Sequence, residues 1–207
     1  MTKIKLCGLS RPCDIEAANE LLPDFIGFVF AEKSRRFAAP EKAKELRGML
    51  DPAIRSVGVF VREAPERVAE LLSCGVIDIA QLHGGEDEAY IAKLRTMTDR
   101  PLIKAFRVDS PADLEAARRS TADCILLDNG AGGTGTEFDW SLLEGFERPF
   151  FLAGGLDPEN AAQAVTALRP FAVDVSSGIE TDGLKDREKM KAFVEAVRSV
   201  SGEEDGK

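Results

Sequence analysis

The chain has one histidine, His83, which excludes a multi-histidine metal site or a histidine-based dyad elsewhere. Its four cysteines, Cys7, Cys13, Cys74 and Cys124, form no C-x-x-C pair. Their spacings match neither a zinc site nor a disulfide framework. The first turn, Cys7-Gly8-Leu9-Ser10, carries no G-x-G-x-x-G dinucleotide fingerprint. No apolar run reaches the roughly 18 residues of a membrane span, and the opening Met-Thr-Lys-Ile-Lys-Leu-Cys-Gly lacks the apolar segment of a secretory signal. A reducing, cytoplasmic setting is expected. Positive charge is also short. Twenty-seven Lys+Arg against 36 Asp+Glu leave a net charge of −9, a field that repels nucleic acid and anionic membranes. An anionic ligand must therefore be held locally, by a few Arg or Lys and by backbone N–H groups.

What is present is a periodic pattern. In 207 residues, 44 % hydrophobic and 30 % charged, short β-branched or aromatic runs alternate with amphipathic helical stretches. The runs are 3–7, 25–30, 54–61, 77–82, 102–106, 124–128, 149–153 and 171–175. Helices are expected at 11–22, 41–50, 65–74, 86–97, 111–120, 139–143, 158–168 and 187–200. Ser110-Pro111 and Asp157-Pro158 each put a capping residue before a proline at the first helical position, and Gly75 stands where a left-handed helix terminus belongs. Eight strands alternating with eight helices predict parallel βαβ units closed into a (β/α)8 TIM barrel, a single compact domain over residues 1–200 with a polar tail at 201–207. At about 26 residues per unit the chain is near the lower size limit of that fold. An open doubly wound sheet is the rival, and it normally carries the glycine fingerprint missing here.

Barrels carry their chemistry where strands end and loops begin. Those positions read Cys7-Gly8, Lys33-Ser34-Arg35-Arg36, Gln81-Leu82-His83-Gly84, Asp128-Asn129, Gly154-Gly155 and Ser176-Ser177-Gly178. Alternation along the first strand puts Lys5 on the face of Cys7, so an inward thiol brings a buried ammonium beneath it. That ammonium needs a partner, and Asp174 on the last strand is the candidate. Ala153-Gly154-Gly155-Leu156 and Ser177-Gly178-Ile179 offer close-approaching backbone N–H groups after strands seven and eight, where barrels of this kind bind phosphate. The glycines could equally serve only tight turns. Two clusters in the two expected places favour phosphate. The matching loop after strand three, Val61-Arg62-Glu63-Ala64, has no glycine pair, so one phosphate group is expected.

Taken in order, these segments resemble the phosphoribosylanthranilate isomerase family of tryptophan biosynthesis. The segments are Lys5-Leu6-Cys7-Gly8-Leu9, Gly27-Phe28-Val29-Phe30, Gln81-Leu82-His83-Gly84, Leu127-Asp128 followed by Gly132-Gly133-Thr134-Gly135 and Phe138-Asp139-Trp140, Leu152 to Leu156, and Asp174 to Glu180 with Gly183 and Lys185-Asp186. Arg35 stands where the family often has proline.

The resemblance implies a cofactor-free Amadori rearrangement of N-(5-phosphoribosyl)anthranilate to 1-(2-carboxyphenylamino)-1-deoxyribulose 5-phosphate by general acid–base catalysis. Its partner is a small sugar phosphate, with neither nucleic acid nor membrane, and the enzyme is a monomer or homodimer. Cys7 matches the family's base and Asp128 its acid. Otherwise Cys7 is a small buried thiol, and Asp128 a helix cap or turn residue. Lys5 is expected to favour the thiolate, and burial at an apolar strand end to raise the Asp128 carboxyl well above about 3.9. Arg36 matches the family's anion-binding arginine and suits a carboxylate, though it could be an ordinary solvated charge. His83 reads equally as a substrate contact and as a structural histidine. The glycine-rich stretch 130–135 is the candidate to close over substrate. Two other functions compete. The histidine-pathway aminoaldose isomerases typically carry aspartate at the end of strand one and phosphate sites in both halves. A catalytically silent sugar-phosphate-binding barrel would need neither Cys7 nor Asp128.

Overall fold

The computed structural model describes residues 1–128, 140–143 and 145–201. Eight parallel strands close into a barrel in chain order: β1 (Lys3–Cys7), β2 (Phe25–Val29), β3 (Arg55–Phe60), β4 (Ile79–Leu82), β5 (Leu102–Arg107), β6 (Cys124–Asp128), β7 (Phe150–Ala153) and β8 (Ala172–Val175). β8 pairs back onto β1 with Lys5 opposite Asp174. Closure excludes the open sheet.

The helices are α1 (Pro12–Leu21), α2 (Pro40–Met49), α3 (Pro65–Ser73), α4 (Glu88–Arg95), α5 (Pro111–Arg119), α6 (Ala161–Leu168) and α7 (Arg187–Ser201). Four of them, α1, α2, α3 and α5, open with proline in the first turn, where its missing N–H costs nothing and its fixed φ already suits a helix. Gly75 has φ +70°, the left-handed terminus expected after α3.

Three local expectations fail. The sixth helix is a four-residue 3-10 turn, Trp140–Leu143. Ser110 sits at the cap of α5, but its hydroxyl donates to Asp113 Oδ2 instead of accepting a backbone N–H. The helix expected from residue 158 begins at Ala161, because Asp157 Oδ1 accepts the N–H groups of Glu159 and Asn160 and holds them in a turn first. The stretches 129–139 and 202–207, with the candidate loop 130–135 and nearly all of the tail, lie outside the described residues.

Packing forms two layers, as two-sided strands require. Ile4, Leu6, Ile26, Phe28, Leu102, Ile125, Leu127 and Val173 face the helices. Phe25, Val57, Ile79, Ile103, Leu126, Phe151 and Ala172 fill the barrel interior, with the Phe25 and Phe151 rings 5.5 Å apart. Above this plug the inward positions turn polar: Lys5, Gln81 and Asp174 are buried there. Past β8 the chain makes a 3-10 turn, Ser177–Ile179, and then a small hairpin, β9 (Glu180–Thr181) with β10 (Leu184–Lys185). Among the described residues no helix is long and apolar enough to cross a membrane.

Candidate active site

A cavity of about 420 Å³ opens at the carboxyl ends of the strands, and Cys7, Arg36, His83, Asp128, Gly154, Gly155, Asp174 and Ser177 all line it. The fold thus brings together the sulfhydryl of β1 and the carboxyl of β6, 121 positions apart in sequence. Lys5 lies beneath the cavity, fully buried.

The Cys7 side enclosure is built from the strand pairing. Gly27 is the register partner of Cys7 on β2, and a Cβ at position 27 would come within 2.7 Å of Cys7 Sγ. The sulfur therefore occupies room that only glycine leaves. Below it Lys5 Nζ donates to Asp174 Oδ2 at 2.8 Å, the partner predicted from alternation. Burial disfavours the Lys5 ammonium, yet Asp174 and Cys7 together hold its pKa above the ordinary lysine value. The expectation that Lys5 makes the thiol more acidic is only half right. Burial raises the Cys7 thiol, Lys5 lowers it and Asp174 raises it again, and the outcome lies above an ordinary thiol. An ammonium already neutralised by a carboxylate cannot offset full desolvation of the sulfur.

On the opposite wall the environment is more open. Asp128 is a quarter exposed, not buried as expected, and its Oδ2 lies 3.2 Å from His83 Nε2. The amide nitrogen of Gln81 lies 2.8 Å from His83 Nδ1, on the other side of the ring from the carboxylate. His83 is anchored through its own N–H to the Phe60 carbonyl. Local sequence pattern gives Gln81 no role of its own. Only its spacing of two from His83 on one face of the chain was the signal for this contact. Gln81 Oε1 and Asp174 Oδ1 are buried and have no hydrogen-bond partner among the described residues.

The remaining predicted residues divide. Gly154 and Gly155 take φ of +91° and +68°, a turn that other residues adopt only with strain. Gly178 does not line the cavity; it packs against the preceding loop, where a Cβ would fall 2.0 Å from the Leu156 carbonyl oxygen. Ile179 is fully buried, and its N–H makes a long 3.4 Å bond to the Ser176 carbonyl. Arg36 lies across Gly8, whose missing Cβ would sit 2.6 Å from Arg36 Cδ. Its Nε and Nη2 form a two-point pair with Glu180, at 2.6 and 2.9 Å. Glu180 had been quoted without a role.

A closed parallel barrel with a thiol, a carboxyl and a histidine at the mouth of one cavity is the arrangement of a (β/α)8-barrel isomerase, where protons move within one bound molecule. Comparison with known proteins narrows the class. The sequence model of the N-(5'-phosphoribosyl)anthranilate (PRA) isomerase family matches residues 4–196, and the chain belongs to that family. The N-(5'-phosphoribosyl)anthranilate isomerase of Thermoanaerobacter sp. (strain X514) is 44 % identical over 206 residues, covering 97 % of this chain and 100 % of the relative. Monomers generated from the dimeric phosphoribosylanthranilate isomerase of Thermotoga maritima superpose with a TM-score of 0.85 at 36 % identity, covering 96 % of this chain and 100 % of that one. A phosphoribosyl anthranilate isomerase in complex with reduced 1-(o-carboxyphenylamino)-1-deoxyribulose 5-phosphate superposes at 0.84 with 37 % identity, again over 96 % and 100 %.

Proposed function

We propose that this isomerase converts N-(5-phosphoribosyl)anthranilate to 1-(2-carboxyphenylamino)-1-deoxyribulose 5-phosphate in the cytoplasm, with Asp128 as acid and Cys7 as base. The observation that carries the reading is the single cavity lined by both groups. Asp128 protonates the furanose ring oxygen; the C–O bond breaks as the anilino nitrogen forms an iminium. The Cys7 thiolate then takes the proton from the adjacent sugar carbon, the electron pair neutralises the iminium, and the resulting enolamine becomes the ketone. The solved relative that holds the reduced product supports a ligand of this shape.

Other lining groups divide the substrate among them. The backbone N–H groups of Gly154, Gly155 and Ser177 take the phosphate, and Arg36 takes the anthranilate carboxylate. The buried acceptors Gln81 Oε1 and Asp174 Oδ1 suit the ribose hydroxyls. Polar contact of Asp128 with His83 keeps the acid aimed across the cavity.

The reacting form needs Asp128 protonated and Cys7 ionised, so one proton is shared between two groups. Burial makes the thiol the later of the two to lose it. The alkaline limb of kcat/KM therefore belongs to Cys7. The test is turnover of freshly generated phosphoribosylanthranilate, followed by loss of its fluorescence, beside complementation of tryptophan and histidine auxotrophs. Rescue of the tryptophan strain alone is expected. Rescue of the histidine strain alone, or no turnover by folded protein, overturns the reading.

A further inference from the structure

The hairpin after β8 holds a charge arrangement whose members neither give nor take a proton in the acid–base chemistry. Its loop is Asp182-Gly183, with φ of +53° and +79°, the two-residue turn in which both central residues are left-handed. That turn fixes the register, with Thr181 opposite Leu184 and Glu180 opposite Lys185. Lys185 Nζ lies 2.5 Å from Glu180 Oε1, 2.8 Å from the Ser176 carbonyl oxygen and 3.3 Å from Ser176 Oγ. Three acceptors match the three protons of an ammonium. The Lys185 carbonyl in turn accepts from Arg11 Nη2 at 2.6 Å, which ties the hairpin to the start of α1.

Glu180 is the hub. It pairs two-point with Arg36 on one side and with Lys185 on the other. Burial disfavours its ionised form, but the bonds from Arg36 and Lys185 outweigh that and keep its carboxyl below the ordinary range. Arg36 is about a third exposed and lines the cavity, whereas the Lys185 side chain is 3 % exposed and neither it nor Glu180 lines the cavity. An arginine neutralised by its own carboxylate has little attraction left for a second one. Here a buried second cation leaves the trio at +1, and only Arg36 presents that charge to the cavity.

We propose that Lys185 is a specificity residue for Arg36: Glu180 pairs with one edge of the guanidinium, and Lys185 cancels the Glu180 charge so that an aromatic carboxylate is still attracted to the rest. The inference rests on the reading that Arg36 binds the substrate carboxylate. Lys185 selects the acid-bearing aromatic ring without touching it.

The experiment compares N-(5-phosphoribosyl)anthranilate with N-(5-phosphoribosyl)aniline, which lacks the carboxylate, in four proteins: wild type, Arg36→Ala, Lys185→Met and Glu180→Gln/Lys185→Met. Lys185→Met sets the trio to zero and should raise KM for the carboxylate substrate about tenfold, with kcat changed less than about threefold and the aniline substrate's KM changed less than about twofold. The double variant returns the trio to +1, removes the carboxylate that neutralises Arg36, and should recover most of the lost KM. Equal losses on both substrates, or a double variant as poor as the single, overturns the inference and leaves Lys185 purely structural. Should Lys185→Met not fold, the double variant alone decides: discrimination close to wild type supports the charge argument, and its loss overturns it. If Arg36→Ala still favours the carboxylate substrate as wild type does, the assignment of the carboxylate to Arg36 fails, and this inference with it.

Discussion

The two walls of the cavity solve opposite problems. The wall of β1, β2 and β8 buries most of the Cys7 thiol, leaves it facing the cavity, and surrounds it with fixed charges, Lys5 against Asp174 below and the Arg36–Glu180–Lys185 group beside it. The wall of β4 and β6 leaves Asp128 a quarter exposed and supports it with one imidazole and one amide. A base that must take a proton from carbon gains from being dry, since desolvation makes the thiolate more basic. An acid that opens a ring has to regain its proton each turnover, and an open carboxyl can do so. On the roles proposed for Cys7 and Asp128, the two walls match the two proton transfers.

The sharpest way to break this comparison is Cys7→Ser. Loss of the buried base should lower kcat by about 10³–10⁴-fold with the fold intact, as read by steady-state turnover and circular dichroism; near-normal turnover would remove the thiol from the chemistry. Next is Asp128→Asn, expected to cost about 10²–10³-fold. Its pH profile is more telling than its rate. In the wild type, kcat/KM falls as pH rises through the raised Cys7 value, because no proton is left for the acid. In the asparagine variant, residual activity should rise through the same range, because only the thiolate is then needed. Iodoacetamide alkylation of Cys7 should follow that same limb. A limb that moves in the same direction in both proteins refutes the shared proton.

Third, Lys5→Met leaves Asp174 buried without its counter-charge and should cost about 3–5 kcal/mol in denaturant unfolding, while Gln81→Met on the opposite wall should cost clearly less. Equal costs would erase the contrast between the walls. The smallest effect is expected from Gly27→Ala, whose Cβ would crowd Cys7 Sγ; a loss of about tenfold in kcat with little change in KM would sharpen the view that the sulfur's position is set by its neighbouring strand.

Most of the scaffold was legible in advance because hydrophobic periodicity reports which face is buried. The strands at residues 3–7 and 124–128 match the sequence reading at both ends, and alternation alone paired Lys5 with Asp174. What was illegible involved competition between opposing terms or pairing across the barrel. Alternation places Lys5 under the sulfur but cannot weigh its pull against desolvation, so the direction of the Cys7 shift was misjudged. A strand-end position does not say how much water reaches a carboxyl, and Asp128 was expected to be buried. Gly27 has meaning only once β1 and β2 are in register. Glu180 meets Arg36 across 144 positions, beyond any local pattern.

The pairing of the first strand with the last has a consequence for biosynthesis. Lys5 leaves the ribosome early, and its counter-ion 169 residues later. Until then the ammonium has no mate, and sealing it away alone would cost several kcal/mol. A nascent or truncated chain ending before β8 thus lacks both the final staves and the compensation that lets them shut. Completing the polypeptide and zipping the seam become a single cooperative event.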